Sequence, residues 1–190
     1  DRISAPYRFD VTVTSGRDDI DPADITGQRA SLLIRRHGEF YPYSGIVTQF
    51  RFMDRATDYA TYRLRLAPAL WLLSLNHRSR VFQKKCIPEV VAAVLDECGL
   101  GDLYEMDLER EYPSREYVVQ YDETDLNFVS RLLESQGIWY LFREPPLNDE
   151  EADGEPVTER LIISDRPSSF EPIAGESEIP FRAQSGLNER

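Results

Sequence analysis

The feature that most restricts what this chain can become is a strict alternation near its N-terminus, where Phe9, Val11 and Val13 interleave with Arg8, Asp10, Thr12 and Thr14. A period of two puts the three apolar side chains on one face of an extended strand. The rhythm returns at Thr61–Ala67, where Tyr62, Leu64 and Leu66 alternate with Arg63 and Arg65, and further strand-like runs occupy Ala30–Arg35 and Ile46–Met53. Ser15–Gly27 reads as turn-like, and Asp54–Asp58 is polar with the length of a hairpin connection. Four or more antiparallel strands, each with one apolar face, must close on themselves or pack on something, and a small antiparallel β-barrel is the economical solution.

Two helices then break the pattern. In the first, Pro88 suits the opening turn, Glu89 follows, and Ile87, Val90, Val91, Val94, Leu95 and Cys98 share a face, with Gly99 and Gly101 placed to end it. In the second, Thr124 is positioned to cap, Leu126, Val129, Leu132 and Leu133 form the stripe, and Gly137 terminates. Tyr117–Tyr121 alternates as a strand between them, and Ile138–Phe142 and Leu161–Ser164 make two more. The order predicts an α+β fold with no βαβ rhythm: a barrel at 1–80, a smaller helix-containing α+β domain at 81–182, and a tail at 183–190.

Charge sorts the function classes. The chain has 190 residues with 22 basic and 34 acidic side chains, net -12, which is repulsive toward nucleic acid. Of that excess, -9 sits in residues 144–178, and the segment 144–159 reads as a long, solvated acidic loop rather than a recognition element. No run reaches the roughly 18–20 apolar residues that span a bilayer; the longest candidate, Leu64–Leu75, is interrupted by Arg65, Pro68 and Ser74, so a soluble chain is expected. Two cysteines, Cys86 and Cys98, cannot build a disulfide framework and imply a reducing compartment, a single bridge between them staying open. No charged-then-apolar leader precedes Asp1, as expected of a piece of a longer chain or one exported without a cleaved signal.

Sites for chemistry are scarce. Nucleotide-binding glycine loops, a G-x-S-x-G elbow and H-E-x-x-H are all absent, and His37 and His77 lie far from each other and from any short Cys or His spacing. Cys98 reads as a small core group, while Cys86 has the electropositive neighbours Lys84 and Lys85. The carboxylates Asp18, Asp19, Asp21 and Asp24 fail an EF-hand register, because Ala23, Asp24 and Ala30 stand where an oxygen ligand, Gly and Glu are needed. Arginine supplies 20 of the 22 basic groups, and ten tyrosines accompany it, a pairing common at protein interfaces.

Several segments, in this order, carry a resemblance: Pro6–Val11 (PYRFDV), Ser44–Phe50 (SGIVTQF), Tyr62–Leu73 (YRLRLAPALWLL), Ser79–Gln83 (SRVFQ), Ile87–Val91 (IPEVV), Tyr112–Glu134 (YPSREYVVQYDETDLNFVSRLLE) and Gly137–Phe142 (GIWYLF). The chain resembles the VgrG family, the spike protein of bacterial type VI secretion systems, whose N-terminal part is similar to the hub of a contractile phage tail baseplate. The resemblance implies a structural part with neither catalytic site nor cofactor: a homotrimer whose two barrel-like domains per copy offer six near-equivalent positions to the hexameric tube protein Hcp. The chain corresponds to the first portion of that hub. The needle, its tip protein and any effector attach through the missing C-terminal part. The implied route is synthesis in the bacterial cytoplasm without a signal peptide, then release through the type VI apparatus to the outside or into a target cell.

The expected contact with a neighbouring subunit or the tube is the outer face of Ile46–Met53, with Val47, Gln49, Arg51 and Met53, or that of Thr61–Ala67, with Arg63 and Arg65. The alternative is that these residues cover the barrel beneath the helices. A phage baseplate hub is the second role. Two other classes remain distinguishable: a ligand-binding barrel needs an open, dry interior, and an Asp/Glu enzyme needs a cleft with paired carboxyls, one of raised pKa.

Overall fold

The computed structural model describes residues 3–36, 38–148, 152, 154 and 157–170. The alternating segments form β1 (Phe9–Ser15), β2 (Arg29–Arg36), β3 (Glu39–Arg55) and β4 (Ala60–Ala67), an antiparallel sheet in the order β1-β4-β3-β2. Asp10, Thr12 and Thr14 are exposed while Phe9, Val11 and Val13 are half-buried, so the period of two is realised. The barrel is not closed. Among the described residues β1 and β2 each keep a free edge, and the sheet is a curled half-barrel. Four strands are too few to meet around a filled interior. The turn-like segment instead contributes α1 (Pro22–Ile25), opened by Asp21, whose Oδ1 accepts from the Ala23 amide at 2.8 Å. Ile20 and Ile25 then pack on the apolar side against Val47, Phe50, Ala60 and Tyr62.

β3 runs 17 residues through Pro42 and Gly45, well beyond Ile46–Met53. Two irregularities, between Val47 and Gln49 and between Phe52 and Asp54, let so long a strand bend. Gly45 is required here: a Cβ would lie 2.1 Å from the Ala67 carbonyl oxygen.

The second unit begins with a 3-10 helix, Ala69–Ser74, that buries Ala69, Leu70 and Leu73. β5 (His77–Lys85) follows, then α2 (Ile87–Glu97), β6 (Tyr104–Asp107), β7 (Arg115–Thr124), α3 (Asp125–Gln136), β8 (Trp139–Arg143) and β9 (Arg160–Ser164). β5 and β7 form a two-stranded ribbon, and the other three strands form a sheet ordered β6-β9-β8. β6 and β9 are parallel, which the strand-and-helix order did not suggest, because no single crossover helix joins them. The helices start and stop as their sequences indicate. Glu89 accepts from the Cys86 amide at 2.7 Å, Thr124 Oγ1 accepts from the Asn127 amide at 3.1 Å, and Gly99 and Gly137 take φ of +73° and +64°. Gly101 instead opens a short 3-10 turn.

Val90, Val91, Val94 and Leu95 of α2 meet Phe128, Val129, Leu132 and Leu133 of α3 in one core that also takes in Tyr140 and Ile163. A polar knot ties the ribbon to it. The Asp125 carboxylate, fully buried, accepts from Arg80 Nη2 and Gln120 Nε2, both at 2.9 Å, with Arg78 at 3.5 Å. Arg80 also donates to Gln120 Oε1 at 2.7 Å and pairs with Glu97. Removing one member of a buried ion pair strands the other, at a cost of about 3–5 kcal/mol. Asp125→Ala is therefore expected to lower the unfolding free energy from urea titration by that order, while Glu116→Ala, exposed on the same ribbon, leaves it nearly unchanged.

Candidate functional site

The outer face of the four-stranded sheet is built from three cross-strand rows: Asp10–Arg65–Gln49, Thr12–Arg63–Arg51 and Thr14–Thr61–Asp54. Each row follows from the alternation that turns Tyr62, Leu64 and Leu66 inward. Of the six residues expected at a contact, Gln49, Arg51, Arg63 and Arg65 share this face. Val47 does not: the bulge after it reverses the parity of β3 and sends it into the core, 3% exposed. Met53 lies at the second irregularity and is 43% exposed. Arg65 is held by Asp10, whose Oδ1 accepts from Nε and Nη2 at 2.9 Å, with Arg8 at 3.5 Å from the other oxygen. A depression of about 650 Å³, lined in part by Arg8, Thr48, Gln49, Arg65 and Trp71, opens on the same side.

A second exposed face was missed in the sequence. Val81, Tyr117, Val119 and Tyr121 stand outward on the ribbon, with Val81 directly opposite Val119. The alternation at 117–121 was legible, but its burial was not: Val118 and Gln120 face the helices instead.

The third feature is the joint between the two units. Tyr7, Phe9, Tyr43 and Phe142 meet edge-on or tilted around a groove of about 710 Å³. Glu144 closes it, accepting from the Ser44 amide at 2.9 Å and the Ser44 hydroxyl at 2.6 Å, while Tyr7 donates to the Ser44 carbonyl. Burial, with Glu144 and Glu159 beside it, pushes the Tyr7 phenol far above its ordinary value. Both ends of the segment expected to be a solvated acidic loop are thus engaged. Glu144 is half-buried, Leu147 exchanges backbone hydrogen bonds with Phe40, and Glu159 is 7% exposed; most of 149–156 falls outside the described residues. The long spacing from Ser44 to Glu144 leaves no local signal for this latch.

Glu159 accepts from the Ala69 amide at 2.5 Å through Oε1, and its Oε2 is buried without a partner. The adjoining apolar void, lined by Leu70, Leu103, Phe142 and Leu161, holds about 10 Å³, room for one water at most. Burial pushes the carboxyl up to about 7, the Ala69 amide opposing and Glu144 reinforcing. The carboxyl can keep a proton near neutrality, yet the void beside it admits no substrate.

The remaining candidates are structural. Asp18 pairs with Arg55 and Asp19 with Arg17 at 3.0 Å, so the acidic cluster is turned apart rather than caged. Among the described residues no group of three His, Cys, Asp or Glu is placed to hold a metal; His77 pairs with Asp122, and His37 lies outside the described residues. Cys86 and Cys98 are both free thiols, and burial pushes Cys98 up. No helix among the described residues is long and apolar enough to cross a membrane.

A family model described as the phage tail baseplate hub matches residues 1–190. The chain belongs to the phage tail baseplate hub family. The type VI secretion system spike protein VgrG4b of Pseudomonas aeruginosa is 39% identical over 142 residues, covering 74% of the hub chain and 17% of that protein. Spike protein VgrG1b of the same organism is 30% identical over 182 residues, covering 95% and 23%. The E. coli c3393 protein, a type VI secretion component described as structurally similar to bacteriophage tail proteins gp27 and gp5, matches with a TM-score of 0.78 at 31% identity, over 89% of the hub chain and 45% of its own. The hub chain spans less than a quarter of the length of these curated relatives.

The buried carboxyl gives the hub chain a pH signature. Glu159 has a higher pKa folded, about 7, than its ordinary 4.5, so the folded state binds the proton more tightly. Its stabilising contribution is complete below pH 4.5 and is lost as pH rises through about 7, by about 3 kcal/mol in all. Denaturation midpoints of wild type and Glu159→Gln compared across that window are expected to converge at acid pH, the wild type falling more steeply toward neutral; parallel curves would remove the assignment.

Proposed function

We propose that this chain is the first portion of a hub in a contractile, cell-puncturing secretion device: a structural part of a trimeric spike that docks on a hexameric tube and helps deliver effectors. The carrying observation is the match to the c3393 protein over 89% of the chain at a TM-score of 0.78. In this reading the hub has the two units expected at 1–80 and 81–182, followed by 183–190, with the packed boundary lying nearer Pro68, since Ala69, Leu70 and Leu73 join the core of the second. The free edges of β1 and β2 are covered by strands from elsewhere in the assembly, which closes the barrel. Gln49, Arg51, Met53, Arg63 and Arg65, on the sheet and at its bulge, meet a neighbouring subunit or the tube.

Shape supports this reading more than chemistry does. The exposed faces are a polar face of the curled sheet and an apolar ribbon, and the buried carboxyl at the joint has no room for a substrate. The tip protein and effectors attach through the rest of the polypeptide, and the assembly leaves the bacterial cell through the type VI apparatus. A phage baseplate hub is the second role, favoured by the description of the matching family itself.

Light scattering on the full-length protein is expected to give the mass of three chains, and the trimer is expected to co-sediment with hexameric tube protein. A single-chain mass at working concentration would overturn the reading.

A further inference from the structure

We propose that the outer face of the four-stranded sheet, where Arg51 and Arg63 stand directly opposite each other without a carboxylate, is the docking surface for an extended acidic segment of a protein partner. This deepens the assembly reading above and rests on it for the existence of a partner.

Like charges placed directly opposite in an antiparallel pair work against the sheet. Arg51 and Arg63 occupy such a position in the β3–β4 register, with Thr12 beside Arg63 on β1. Both are exposed. The carboxylates on their own face are taken: Asp10 holds Arg65 and Arg8, and Asp54 Oδ1 accepts from the Arg55 amide at 2.8 Å. Ten other described arginines have an acidic partner within 4.0 Å, in a chain with acid to spare. This pair has none among the described residues.

The neighbouring row adds recognition. The Gln49 amide also lacks a partner among the described residues and sits beside Arg65, at the rim of the depression that Trp71 walls. An extended segment crossing the sheet would meet two guanidinium forks a cross-strand spacing apart, then a free amide, then an aromatic face. A strand with carboxylates on one side and an apolar group beyond them fits this sequence of contacts. A nucleic acid fits less well, because the net charge of -12 repels a long polyanion while tolerating a short run of carboxylates.

The test uses the full-length protein and a labelled strand-forming peptide of alternating Glu and Thr. Its controls are the Gln–Thr peptide and a single-stranded oligonucleotide of equal length. Anisotropy is expected to show salt-sensitive binding of the acidic peptide alone, weakened about tenfold by Arg51→Thr and again by Arg63→Thr. The thermal midpoint of each variant is expected to hold or rise, since the substitution relieves repulsion. Unchanged binding in both variants, or a fall in midpoint in both, would show the arginines to be structural and sink the proposal. Equal binding of the oligonucleotide would replace it with a phosphate surface, and arginine-dependent self-association would replace the partner with a second copy. Light scattering on the same samples keeps the two readings apart: a one-chain wild-type mass ends the hub reading, whereas peptide binding indifferent to Arg51 and Arg63 ends only this one.

Discussion

The relative placement of every exposed face depends on one carboxylate, that of Glu144 at the end of β8. Its two oxygens collect the amide and hydroxyl of Ser44, in the middle of β3. Ser44 is 1% exposed and its hydroxyl also lies 2.7 Å from that of Ser31 on β2, so the latch grips two strands of the first sheet from one point on the second. The aromatic groups of Tyr7, Tyr43 and Phe142 pack edge-on beside it and leave Glu144 half-buried, and a carboxylate accepting from an amide and a hydroxyl makes stronger hydrogen bonds than a neutral acceptor does. Ser4 adds a second stitch, its amide donating to the Tyr140 carbonyl at 3.2 Å. These contacts join the units through a polar lock beside a small aromatic cluster.

The division between what was legible in the sequence and what was not follows sequence separation. The alternation at Phe9–Val13 and Tyr62–Leu66, the caps at Thr124 and Gly137 and the apolar stripe of α2 are local signals, and each element forms where its residues place it. The barrel was over-read because alternation reports a half-buried face without saying whether the sheet closes. Val47 was misplaced by a single bulged residue, since one extra residue inverts the facing of everything before it. Glu144, Asp125 and Glu159 were invisible as buried groups because their partners, Ser44, Arg80 and Ala69, lie 45 to 100 residues away. The acidic composition of 144–159 placed Glu144 and Glu159 in solvent, and nothing local marked Asp125.

Arginine emerges with two separate employments. Arg80 and Arg110 are architectural. Arg110 donates to the Asp165 carboxylate at 3.0 Å and to the Gln136 carbonyl at 2.7 Å, tying the last turn of α3 to the end of β9. Against the cost of desolvation, the amides of Glu109 and Arg110 and the guanidinium of Arg110 hold Asp165 well below the usual carboxylate range. Lysine's compact ammonium does not supply such a fork, which gives the scarcity of lysine a structural meaning beyond composition. Arg51 and Arg63 differ from these in standing directly opposite each other with no carboxylate within 4.0 Å among the described residues.

The strand order of the smaller sheet carries a temporal consequence. β9 is its central strand yet the last of its strands in the chain, pairing with both β6 and β8. On the ribosome, residues 104–107 and 139–143 emerge with nothing between them, and Leu161 and Ile163 cannot fill the core until synthesis has passed Ser164. Until then two bare strand edges face solvent, which is the hazard that late, long-range pairing creates. Any shortened form ending before β9 therefore leaves the edges of β6 and β8 without their shared partner, whatever the quality of its first sheet.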